Sequence, residues 1–216
     1  MPTQFPRLII CAALSWIPAH AGICIEKEPP TPKHEFRLLA GYSPDSPDWL
    51  GTARDRSFIM VETGYSYRCW SWKNASLSYG VSLIPVAIVR QPRQTAFLVP
   101  TPGVSFIGNI PAHSVYAFGI QPVGLYAEFR RHDRFHPILE GNGGFVVSTE
   151  PIPEQGVNAT GINFIFNGGV GLRWNTRPRN ALTAGYRWVH VSNAETTTNN
   201  PGLDNNVFYL AYSFLR

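Results

Sequence analysis

A histidine and a serine stand two residues apart in the stretch Tyr186-Arg187-Trp188-Val189-His190-Val191-Ser192, and an aspartate, Asp204, follows after a polar loop. Serine alone is a poor nucleophile. A neighbouring imidazole can take its proton as it attacks an ester carbonyl, and a carboxylate on the other ring nitrogen fixes the tautomer and stabilises the imidazolium. Alternate residues of a strand share one face and lie about 6.6 Å apart, so with modest twist the pair comes within hydrogen-bonding reach. Tyr186 and Trp188 share that face, which sets catalytic-looking side chains on a greasy surface. H-x-S is a short pattern. Its plain reading is a polar pair at a strand end that bonds loop backbone or lipid headgroups.

The elements that must position these residues are strands. The 216 residues are 44% hydrophobic, 15% charged and 13% aromatic, with 19 Gly and 19 Pro, a mixture that favours strands and punctuated loops over helices. The net charge of +4 is mild and scattered, which argues against nucleic acid as a partner. Period-two alternation marks eight segments, 36–43, 57–69, 75–89, 115–130, 136–149, 161–175, 180–193 and 205–215. In the sixth, Ile162, Phe164, Phe166, Val170, Leu172 and Trp174 oppose Asn163, Asn167, Gly169, Gly171 and Arg173.

A soluble sandwich could also turn such apolar faces inward. Three features favour an eight-stranded antiparallel transmembrane barrel with lipid outside and a polar lumen. The segments are long enough to cross a tilted bilayer path. Trp174, Tyr186, Trp188, Tyr212 and Phe214 crowd strand ends as interfacial girdles do. Connections alternate between short (70–74, 131–135, 176–179) and longer (44–56, 90–114, 150–160, 194–204). An even strand number puts both termini on the periplasmic side and the 194–204 loop outside. His190 and Ser192 share parity with Leu182, Ala184, Tyr186 and Trp188, and Asp204 with Asn206, Phe208, Leu210 and Tyr212, so all three are expected to face outward at the outer rim. Glu62, Arg68, Glu128, Arg130, Glu140, Arg173 and Arg187 take the opposite faces and are expected to form a lumen ion network.

The first residues read as an export address. Arg7 precedes an apolar run from Leu8 to Ile17, and Ala19-His20-Ala21 is a small-x-small cleavage site, so residues 1–21 are expected to be a signal peptide. The proline-rich segment 22–35 reads as an exposed periplasmic leader, and 36–216 as the barrel domain. Removing the signal discards Cys11 and leaves Cys24 and Cys69, which could pair in an oxidising compartment.

The wider stretch "HVSNAETTTNNPGLDNNVFYLAYSF" resembles the C-terminal signature of the lipid A 3-O-deacylase (PagL) family, with its H-x-S-N-A, a loop carrying N-P-G, and the last strand. "YAFGIQPVGLYAEF", "HPILEGNGGFVVSTEPIP" and "GINFIFNGGVGLRW" look like the family's middle strands. The resemblance implies an outer-membrane ester hydrolase that removes the 3-hydroxyacyl chain at position 3 of lipid A, without metal or cofactor, from lipopolysaccharide in the outer leaflet. His190 resembles the family's general base, Ser192 its nucleophile and Asp204 its acidic member. The family's well-known form has glutamate there, one methylene longer, and Asp204 could instead cap its loop or bind a cation near lipid phosphates. Asn193, Asn200 and Gly202 match positions near the site, where the asparagines would donate to the oxyanion or shape the loop that does so. Ordinary turn chemistry also accounts for Asn and Gly in a loop. Two other functions remain open: a non-catalytic outer-membrane barrel that binds lipid A or stabilises the envelope, and a soluble exported ligand-binding barrel. A further departure is the end of the chain, where Phe214 is followed by Leu215 and Arg216.

Overall fold

Aromatic and β-branched residues at alternate positions give ten strands in a computed structural model that describes residues 32–101, 104–130, 133–152, 160–196 and 200–216. They are β1 (His34–Ser43), β2 (Ser57–Ser71), β3 (Ala75–Gln91), β4 (Gln94–Thr101), β5 (Val104–Ile110), β6 (His113–Phe129), β7 (Phe135–Ser148), β8 (Ile162–Arg177), β9 (Asn180–Ser192) and β10 (Leu203–Leu215). Eight of them close an antiparallel barrel in the order β1-β10-β9-β8-β7-β6-β3-β2, with β1 pairing both β2 and β10. Closure leaves no free edge. The expected signal segment and Cys24 lie outside the described residues, and Cys69 is exposed on β2.

The eight expected segments coincide with the eight barrel strands. The β4–β5 hairpin was not expected: residues 90–114 read as one long connection, but the chain makes a separate two-stranded sheet there. In the sequence, Pro102-Gly103 is a breaker flanked by short apolar runs, and that was the available signal. Long connections gather at one end of the barrel. The short turns and the paired chain ends, His34 N–H to Arg216 O at 2.7 Å and the reverse, gather at the other.

The faces are inverted relative to a water-soluble protein. Leu38, Val170, Leu172, Phe208 and Leu210 stand exposed on the exterior, Leu210 at 69%, while Arg187 is wholly buried inside. So large an apolar exterior fits lipid contact, not water. Aromatic pairs ring the short-turn end, Phe135 stacked on Trp174 and Tyr212 edge-on to Phe214.

Two features of the lumen differ from expectation. The loop end of the interior is filled mainly by an apolar core that includes Phe58, Met60, Ile84, Val89, Ile165 and Leu203, with a few buried polar side chains among them, such as Arg56 donating to Gln91 at 2.7 Å. A barrel of this size has room for side chains alone, so its inside is packed as a protein core. Charges occupy the layers below. Arg187 pairs with Glu62 (2.6 Å) and with Glu140, and Arg37 with Glu140 (2.9 Å) and Glu62 (3.4 Å). Nearer the short-turn end Arg173 pairs with Glu128 and Glu35, and Arg68 with Glu128. Arg37 and Glu35 thus join the network, but Arg130 does not belong to it. β6 ends at Phe129, and Arg130 lies in the turn with φ 54°, exposed and paired with Asp133 at 2.7 Å. Strand parity stops where the chain leaves the sheet, so extending the strand one residue misplaced the side chain.

Candidate active site on the barrel exterior

β9 carries His190 near its loop end because Val189 and Val191 turn into the apolar core, which forces the residues between them outward. The antiparallel register sets His190 directly opposite Asp204 on β10. Nδ1 of His190 lies 2.6 Å from Oδ1 of Asp204, the imidazole being 18% exposed and the carboxylate wholly buried. With the proton on Nδ1 donated to the carboxylate, Nε2 keeps its lone pair and can accept a proton.

Ser192 ends the strand on the same face, beside Phe164 of β8. Among the described residues no hydrogen bond joins its Oγ to His190. Such contacts are often long before a substrate is bound.

Past Ser192 the chain turns sharply. Asn193 Oδ1 accepts from the Glu195 N–H at 2.9 Å, Asn200 Oδ1 accepts from the Asn193 N–H at 3.1 Å, and Ala194 and Glu195 both take positive φ, 51° and 61°. Two consecutive non-glycine residues in the left-handed region store strain, of order 1–2 kcal/mol each, next to the serine. Asn193 and Asn200 are therefore brought together to shape this loop. Gly202 adopts φ +64°, and a β-carbon there would sit 3.2 Å from Cε1 of His190, so the loop backbone passes close over the imidazole.

No motif in the sequence points to what holds Asp204 from the other side. The β1–β2 connection folds over the seam, and Oδ2 of Asp204 accepts from the N–H groups of Trp49 (3.0 Å), Leu50 (2.6 Å) and Gly51 (2.8 Å). Asp204 thus serves the imidazole and a distant loop at once. Trp49 stacks on Trp188 with ring centroids 6.5 Å apart, and Trp188 on His190 at 5.7 Å. Lower on the same exterior face an apolar groove of about 640 Å³ is lined by Ala40, Tyr42, Ile59, Ala184, Phe208 and Leu210.

A buried carboxylate, an oriented imidazole and a nearby serine on an exterior apolar surface suit hydrolysis of an ester whose acyl chain already lies in a membrane. The family model described as lipid A 3-O-deacylase (PagL) matches residues 59–213. Among solved structures, the outer membrane enzyme PagL superposes with a TM-score of 0.55 at 15% identity, covering 83% of this chain and 99% of that one. Neisserial surface protein A follows with a TM-score of 0.49 at 9% identity, covering 85% and 97%, and the Ail protein of Yersinia pestis with 0.40 at 12%, covering 84% and 98%. At these identities the likeness speaks for the fold, and only the first reaches a TM-score that carries weight. No curated protein matches the chain. The family match over most of the barrel makes this chain a member of the PagL family of lipid A 3-O-deacylases, built as an outer-membrane β-barrel.

Proposed function

We propose that the protein, exported by way of residues 1–21 as a cleaved signal, hydrolyses the ester that joins a 3-hydroxyacyl chain to position 3 of lipid A, at the outer leaflet. Ser192 Oγ attacks the ester carbonyl as Nε2 of His190 takes its proton, and Asp204 stabilises the imidazolium through Nδ1. The C–O bond to the sugar breaks as His190 returns the proton to the leaving oxygen. Water, deprotonated by the same imidazole, then cleaves the acyl-enzyme and frees a 3-hydroxy fatty acid. Asn200 turns its Oδ1 to the Asn193 amide, which leaves its NH₂ to donate to the oxyanion, while Asn193 and Gly202 shape the loop around the reacting carbonyl.

The observation that carries this reading is the 2.6 Å contact of His190 with Asp204 on the exterior, beside Ser192. A soluble hydrolase must lift its substrate from the bilayer. Here the acyl chain can stay in lipid, lying along the exterior groove beside Phe208 and Leu210, while its ester rises to the rim. The test is the mass of lipid A from membranes containing the protein. Wild type is expected to remove one 3-hydroxyacyl group and Ser192→Ala none, with both barrels assembled. Unchanged lipid A with a folded wild type would favour a barrel that binds lipid A without cleaving it.

A further inference from the structure

The three amides on Asp204 come from a segment that belongs to neither strand of the dyad. A carboxylate removed from water is costly unless its lone pairs are filled, and here Oδ2 is filled by Trp49, Leu50 and Gly51, which leaves Oδ1 for the imidazole alone. Two glycines make the approach possible. A β-carbon on Gly51 would lie 2.5 Å from the carbonyl carbon and oxygen of Gly202, and one on Gly202 would lie 3.0 Å from the Gly51 α-carbon. Backbone bonds lock the crossing, Thr52 N–H to Pro201 O at 2.6 Å and Ala53 N–H to Gly202 O at 3.3 Å. From the same segment Trp49 lies over Trp188, interplanar angle 22°, and Trp188 lies over His190, interplanar angle 23°. One loop therefore bears on both the carboxylate and the ring face of the imidazole.

We infer that residues 49–51 are a positioning element of the reaction: they aim Asp204 and, through the Trp49–Trp188 stack, hold the imidazole plane. This rests on the esterase reading above. The shorter aspartate works in this chain because the loop fixes the carboxyl at the distance its side chain reaches. Trp49 and Gly51 are positioning residues that touch no reacting atom, so their loss is expected to slow turnover without weakening substrate binding.

The test is a double-mutant cycle on full-length protein with lipid A in mixed micelles, each barrel's assembly checked by heat-modifiable gel mobility. Gly51→Ala is expected to lower kcat roughly tenfold or more with KM unchanged, and to add less than about twofold in an Asp204→Asn background, because its effect passes through that carboxylate. Trp49→Ala keeps every backbone amide and serves if Gly51→Ala fails to assemble. It is expected to lower kcat, and Trp49→Phe to restore it. Losses that multiply in the double mutant, or a change confined to KM, would overturn the positioning role while leaving the esterase intact. A folded wild type that frees no fatty acid would overturn the esterase reading and this role with it.

Discussion

His190 and Asp204 face each other across the β9–β10 pair in direct register, Nδ1 to Oδ1 at 2.6 Å, on the outside of the barrel. The contact engages Nδ1 and leaves Nε2, the nitrogen that the proposed mechanism assigns to Ser192. Asp204→Asn keeps the shape but removes the charge that stabilises the imidazolium, and is expected to lower kcat by about 10³–10⁴-fold, measured as 3-hydroxy fatty acid released per unit time.

Asp204→Glu tests reach. Because the amides of residues 49–51 are set for the shorter side chain, the extra methylene displaces the carboxyl from either the loop or the ring, and a shift near 1 Å can cost on the order of 10²-fold. The expected result is a lowered kcat despite retained charge. Wild-type turnover in the glutamate variant would show that the loop tolerates both lengths.

Arg187 lies between Glu62 and Glu140, all three buried inside the barrel. Arg187→Met leaves two buried carboxylates short of their main cation and is expected to cost about 3–5 kcal/mol, read from urea unfolding in detergent or lipid. Arg130→Ala, at the exposed turn, is expected to fall within about 0.5 kcal/mol of wild type.

Leu210 tests the orientation of the barrel wall. It is 69% exposed on the exterior between Ala40 and Ala184, so Leu210→Arg is expected to destabilise the folded barrel in bilayers by about 2–4 kcal/mol if the residue lies near midplane. A soluble barrel would accept an arginine there at little cost.

The strands and their faces were legible because period-two alternation is a local property. The parity that sends Arg187 inward and Trp188 outward needs no knowledge of the partner strand. His190, Ser192 and Asp204 could be placed on one face for the same reason, with the β9–β10 hairpin setting their register. The clamp from Trp49, Leu50 and Gly51 could not be foreseen, since backbone amides carry no side-chain signature and the loop reaches Asp204 only because β1 closes the barrel onto β10. The apolar filling of the lumen was hidden for another reason. Val189 and Val191 share the inward parity of Arg187, but which apolar side chains meet across the lumen is set only when the sheet closes.

The most direct measurement asks whether Ser192 is an activated nucleophile. Folded protein treated with a long-chain alkyl phosphonate ester is expected to gain one adduct, mapped by peptide mass spectrometry to Ser192, and to lose it in the His190→Ala variant. An adduct on another residue, or labelling of Ser192 that is indifferent to His190, would contradict the account.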